Sequence, residues 1–319
     1  KIAARDNDDF TIQDLNAFEQ YFGHGSLKVL YDTRKAVKHF AEITIYERLR
    51  KGIPVSEVLR YGEAGLKIDL GVSIESKNEH FWKMILELQK RGLSVDPQSY
   101  HYFISEAHTF AHSSPLFLEL FYSKGQLSAT LETLLDIDVL SKAIPGFSDL
   151  ETSFFEETHR HKYKTRARQA VDRIKNIERL ENGLDDQSDY QRDFFVGEYK
   201  KAEAEQSFAI KLALLCKAIP QTLGVSANAY LNNSLRAAYP RISDYAVDMI
   251  KFLIENKDVL FSTAQSEDIR ESSTIDILVK NVKDMEHLRA LLLFTLADLD
   301  YGSDSVDLAR KRQSHFYKS

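Results

Sequence analysis

Few residues in this chain stand at spacings that could do chemistry. His108 and His112 are four apart, with Glu106 nearby. On one helical face, two imidazoles at that spacing can share a metal ion. No third ligand accompanies them, and the pair reads as structural or surface histidines. His159 and His161 flank Arg160 in a basic run that continues through Lys162 and Lys164. Such a patch can meet phosphate; otherwise it is the start of a charged helix. Cys216 is the only cysteine and ends an apolar run. It reads as a small core residue rather than a nucleophile. Asp6, Asp8 and Asp9 read as a solvated charge run. The chain holds no P-loop and no Ser nucleophile elbow.

The elements that must position these residues are helical. Thr11 to Asp14 reads as a capped helix start and Gly23 as its stop. A long helix is predicted from Ser26 to Gly52. Further helices are predicted over 77–91, 97–112, 115–124 and 126–140. Pro97 and Pro115 fall at first turns, and Gly92 and Gly125 follow last turns. One helix is predicted from Ser188 to Ile219, with Gly197 as a bend. Only KIDLGVSIE, 67–75, alternates like a strand. The aromatic residues Phe81, Trp82, Tyr100, Phe103, Phe110, Phe117, Phe121 and Tyr122 should form the core of a helical module. The predicted fold class is all-α: a helical module, then a helical bundle, with at most a small β-hairpin near 67–75.

Composition narrows the functional classes. The chain has 319 residues, 43% hydrophobic and 28% charged, normal for a globular protein of one or two domains. Its net charge of −6 argues against a nucleic-acid or anionic-membrane partner. A single cysteine excludes an intrachain disulfide and suits a reducing cytosol, so the expected location is cytoplasmic. No apolar run approaches the roughly 18–20 residues of a spanning helix. Opening at Lys1 rather than Met, the sequence reads as a fragment.

The stretch Ser262 to Gly302 contains STAQSEDI at Ser262 to Ile269 and LLLFTLADLD at Leu291 to Asp300. These segments resemble the TAQ-x-x-DI and LLT-x-ADI of bacterial PII uridylyltransferases, in the same order and at similar spacing. That family adds UMP to the nitrogen-signalling protein PII and removes it with a metal-dependent HD domain. Upstream, Leu93 to Pro97, Pro115 to Leu120 and Leu140 to Phe147 follow the order of short motifs that precede the HD domain. The resemblance covers roughly Glu75 to Gly302. It implies four divisions: an N-terminal helical segment of uncertain role, 1–76; a helical module, 77–150; an HD-like domain, 151–302; and a tail, 303–319. A softer boundary lies at Asn182 to Ser188. The family's Gly-Ser and paired carboxylates for nucleotidyl transfer are missing, and no room follows Asp298 for its small-molecule-sensing domains.

The resemblance also implies a metal site that has largely vanished. His161-Lys162-Tyr163-Lys164 is similar to the family's H-x-Y-T, but the first ligand position falls on Arg168. The family's His-Asp pair falls on Cys216 and Lys217, or on Lys217 and Ala218. The His before TAQ is Lys257, and only Asp298 survives. Cations there repel a dication and accept no hydrogen bonds. The relic positions are therefore Arg168, Cys216, Lys217, Lys257 and Asp298, with no catalytic residue and no metal ligand set. Arg168, Lys217 and Lys257 are candidate phosphate-binding residues. No cofactor is expected, although the family uses a divalent metal. The expected function is a regulatory, binding or scaffolding one in a PII-uridylyltransferase-like protein, the chain alone being inactive. Its expected partners are a PII-like protein, a nucleotidyltransferase domain elsewhere in the full-length protein, or a nucleotide. Two alternatives stay open. One is a residual uridylyl-removing phosphodiesterase, with Asp298 and new ligands from His159, His161 or Asp172. The other is a purely structural helical adaptor.

Overall fold

Apolar residues recur at helical spacing through most of the chain, and helices form there. In a computed structural model of the protein, the residues described are 33, 37, 52–54, 59–62, 65–68, 77–92, 114–123, 125–157, 162–182, 190–265 and 272–298. They form an all-α fold with two small antiparallel additions. The chain divides into two compact units, Lys1–Gln169 and Ala170–Ser319.

In the first unit, β1 (Gly52–Pro54), β2 (Leu59–Gly62) and β3 (Gly65–Ile68) make a three-stranded antiparallel sheet. Gly62 pairs with Gly65 at the end of the β2–β3 ladder. Of the strand expected over 67–75, Lys67 and Ile68 are in β3, and 69–75 lie outside the described residues. So does the helix read over 97–112; of the one read from Ser26 to Gly52, Thr33 and Val37 are helical, Gly52 opens β1, and the rest lie outside the described residues.

Helix α1 (Lys77–Arg91) ends at Gly92, whose φ of +62° suits glycine. It packs against α2 (Pro115–Tyr122) and α3 (Leu127–Asp136). The Ser114 hydroxyl caps α2, accepting from the Leu116 amide at 3.3 Å. Trp82 stands edge-on to Phe81 and to Phe117, and Phe117 to Phe121, with centroids 5.1, 5.4 and 5.4 Å apart. These four rings are buried, as expected, while Tyr122 is 46% exposed. Tyr100, Phe103 and Phe110 lie outside the described residues. Gln89 closes the far end of α2, donating to the Leu120 and Ser123 carbonyls at 2.7 and 3.2 Å. Gly125 passes so close that a Cβ would stand 2.1 Å from the Gln89 carbonyl oxygen.

The helix predicted over 126–140 stops earlier, at Asp136. Asp138 adopts a left-handed φ of 60°, and the chain restarts as α4 (Leu140–Ala143) and α5 (Phe147–Glu151). The basic run after His159 is not a helix start either. Strands β4 (Phe154–Glu157) and β5 (Lys162–Thr165) form a hairpin whose register sets Glu157 opposite Lys162. Strand β5 leads into α6 (Arg166–Asn182), which continues into the second unit.

The single helix predicted from Ser188 to Ile219 is broken in two places. Helix α7 (Tyr190–Lys201) ends at Ala202, and Glu203 is extended (ψ 159°) before α8 (Ala204–Cys216); α9 (Ile219–Leu223) follows a turn. Gly197 lies within α7, so the bend expected there falls several residues later. Short helices α10 (Ala227–Tyr230) and α11 (Arg236–Ala238) flank a π-helical turn, Leu231–Leu235. Next come α12 (Asp244–Glu255), α13 (Val259–Gln265), α14 (Ser272–Asn281) and α15 (Met285–Asp298). Helix α8 is buried on every side from Phe208 to Cys216 because it packs on both α12 and α15. An all-round apolar helix is central to its bundle.

Candidate functional site

Three helices of the second unit bring ionised groups together around Asp298. Asp298 closes α15, where the negative end of the helix dipole disfavours a carboxylate. Two cations offset this. The Arg173 Nε, from α6, donates to Asp298 Oδ1 at 2.6 Å. The Lys217 ammonium, from the turn after α8, pairs with Oδ2. Asn176, one turn beyond Arg173, donates to the Ala297 carbonyl at 3.0 Å and fixes α6 against the end of α15. The Lys217 Nζ also lies 5.7 Å from the centre of the Phe294 ring, within cation–π range.

Burial governs the protonation of this group. It would raise the Asp298 pKa, but Arg173 and Lys217 more than offset it and hold the carboxyl below its ordinary value. Burial pushes Lys217 down to about 8; Asp298 opposes this, while the positive charges of Arg173 and Lys257 add to it. Lys257 is half-buried in the turn between α12 and α13. Two cations thus meet one carboxylate, and the charge of Lys257 is felt at Lys217. Arg173 is the most enclosed, its side chain only 8% exposed. Its Nη1 is buried with no hydrogen-bond acceptor among the described residues.

Of the positions implied by the resemblance, the structure brings Lys217 onto Asp298 and puts Lys257 within electrostatic reach of Lys217. Arg168 is engaged elsewhere, facing Glu132 at 3.5 Å across a half-exposed pair. The guanidinium on Asp298 is instead that of Arg173, five residues further along α6 and about 140° round the helix from Arg168. A signal for Arg173 was present in the sequence. Ala167, Ala170, Val171, Ile174 and Ile177 form the buried stripe of α6, and Arg173 stands at its edge, beside Ile177 on the helix surface. A cation at the edge of an apolar stripe needs a partner once it is buried.

Cys216 is fully buried, and the Tyr230 hydroxyl donates to its sulfur at 3.9 Å. Burial pushes the thiol up to about 12. It therefore stays protonated and packs as a small core residue. His108, His112, His159 and His161 lie outside the described residues. Asp172 is half-buried on α6. Among the described residues, no group of three or more His, Cys, Asp or Glu side chains could hold a metal ion, and no single helix is long and apolar enough to cross a membrane.

A largely enclosed acid with a cation on each oxygen is chemically quiet. The two cations hold it ionised, and a metal ion arriving at its remaining lone pairs would meet two like charges. No protein-family model, curated protein or solved structure matches the chain.

Proposed function

We propose that this chain is the central helical and degenerate HD-like portion of a PII-uridylyltransferase-like protein, and that it binds or positions a partner in the cytosol without turning over substrate. The observation that carries this reading is the engagement of Asp298, the one remaining relic carboxylate, by Arg173 and Lys217. Hydrolysis of a uridylyl ester by an HD site needs a metal ion to acidify water and clamp phosphoryl oxygens. Two cations at Asp298 oppose that charge instead of providing it. The order of short motifs from Leu93 to Asp298 supports the placement in the family. The single cysteine supports the compartment.

The test is incubation of the purified chain with uridylylated PII and manganese. No UMP release is expected, and Asp298→Ala should leave that result unchanged. Manganese-dependent release lost in Asp298→Ala would establish the hydrolase alternative. The binding half of the proposal is tested by capture of unmodified and uridylylated PII on the immobilised chain. Failure to retain either form would leave a structural adaptor.

A further inference from the structure

We propose that helix α7 is an order–disorder strap. It melts off α8 and α15 as a unit while the bundle beneath stays folded, and polar clips at Glu198 and Tyr199 set how often it opens. The inference stands on the geometry of the second unit and is independent of the proposed function.

Three observations carry it. The first is length. Helix α7 has 12 residues, and a helix that short is marginal in water without tertiary support. Gly197 in its interior lowers its propensity further. A Cβ added there would meet nothing within 4 Å, so no close packing requires the glycine. The second is thin apolar anchoring. From Phe194 to Lys201 only Phe195 and Tyr199 are buried, four apart on one face, and Phe194 is 54% exposed. Helix α12 is the contrast: it also has 12 residues, yet it buries seven of them and is capped by the Ser243 hydroxyl. The third is what remains when α7 leaves. Helices α8, α12 and α15 pack on one another pairwise, so the core closes without it.

Polar contacts supply the rest of the docking. The Arg289 Nε, from α15, donates to Glu198 Oε2 at 3.0 Å, and Lys201 pairs with Glu198 Oε1. The Tyr199 hydroxyl shares a hydrogen bond of 2.8 Å with the Ser207 hydroxyl of α8. The side chains of Glu198 and Arg289 are 14% and 23% exposed. That is enclosed enough for loss of the pair to matter and open enough for salt to weaken it. Because α7 cannot hold its helix alone, releasing these contacts melts it rather than swinging it out as a rod. Opening uncovers the Arg289 flank of α15 and the Ser207 face of α8. A segment that passes between order and disorder is a recurrent form of protein switch.

Amide hydrogen exchange of the full chain in graded low urea tests the strap, read across 190–201 and, as the control, 244–255. The α7 amides should exchange about tenfold faster than those of α12 or more, with a weaker urea dependence. Glu198→Gln should speed α7 exchange by about tenfold, and Tyr199→Phe by about threefold. Gly197→Ala should slow it by about fivefold. Each variant should leave α12 unchanged. Added salt should speed α7 exchange in the wild type more than in Glu198→Gln, which has already lost the pair.

Equal protection and equal urea dependence in α7 and α12 overturn the proposal, since α7 would then open only with the whole bundle. So does a Glu198→Gln variant whose α7 exchange is unchanged, or one in which α12 accelerates equally. Gly197→Ala removes no contact and keeps the proposal falsifiable should Glu198→Gln fail to fold: exchange that does not slow there overturns it as well. Loss of this inference leaves the assays of UMP release and PII capture untouched.

Discussion

The two units bury different materials. The first closes around Phe81, Trp82, Phe117 and Phe121, rings meeting edge to face. The second closes around α8, aliphatic for the most part, but admits ionised groups: Asp298 with Arg173 and Lys217, and Lys211, within α8 itself, with Glu181 at 3.0 Å. Aromatic burial is governed by area and shape, and no proton is gained or lost with pH. The ionised corner is governed by pairing, and its contribution changes sign according to which partner is removed. The comparison teaches where this protein spends stability on something other than packing.

The largest expected effect is therefore in the first unit. Phe117→Ala should cost about 3–5 kcal/mol, the usual range for an aromatic lost from a close-packed core. Phe117 is fully buried and touches both Trp82 and Phe121 in edge-to-face geometry. Urea denaturation should give the same loss at pH 5 and pH 8. A pH-dependent loss would mean that the aromatic core is coupled to a titrating group.

Asp298→Ala comes next, at about 2–4 kcal/mol, somewhat below the range for a fully buried pair because the carboxylate is partly exposed. It leaves Arg173 and Lys217 enclosed with no anion between them. The folded pKa of Asp298 is depressed, so its stabilisation is present above the unfolded value. That stabilisation disappears as pH falls through the folded value. The gap between wild type and Asp298→Ala should thus persist from pH 8 to about 4 and close only in stronger acid.

Lys217→Met should act in the opposite direction. Burial holds the Lys217 ammonium near pKa 8 in the folded chain, so its charged form is less stable there than in the unfolded chain. Removing it leaves Asp298 paired one to one with Arg173, and methionine can lie against Phe294. A gain of about 1–2 kcal/mol is expected at neutral pH. Between pH 8 and the unfolded lysine value, the unfolded state binds the extra proton, and wild-type stability rises with pH. The advantage of Lys217→Met should therefore shrink above pH 8. Thermal or urea unfolding over pH 7–10 measures both the sign and the trend. A Lys217→Met variant less stable than wild type at pH 7 would show that the pair with Asp298 outweighs burial.

The helical class and the Phe81, Trp82, Phe117 and Phe121 core were readable because both rest on local signals. Examples are Gly92 at a last turn, Ser114-Pro115 at a first turn, and rings at helical spacing. The breaks at Ala202–Glu203 and Ile137–Asp138 were not, because no Gly or Pro marks them; packing interrupts the helix where local propensity would continue it. The β4–β5 pair was missed for a related reason: its basic strand alone reads as a charged helix, and only the backbone ladder with Phe154–Glu157 makes it a strand. At the site, Lys217 and Asp298 were identified before any geometry. Arg173 was not, since motif spacing directed attention to Arg168, and the burial pattern of α6 outranked it.

The smallest predicted effect tests that last distinction. Arg168 and Arg173 share one helix and one side-chain chemistry, yet their surroundings differ. The Arg168–Glu132 pair has side chains 40% and 35% exposed, at 3.5 Å. Water and salt screen such a pair, and the two flexible side chains lose entropy in meeting. Arg168→Ala should change stability by no more than about 0.5 kcal/mol, and less at high salt. Arg173→Ala should cost several times as much, because it strands part of the Asp298 charge in a partly enclosed site. Paired urea titrations at low and high ionic strength decide between them. An Arg168→Ala loss equal to that of Arg173→Ala would show that enclosure does not set the two arginines apart.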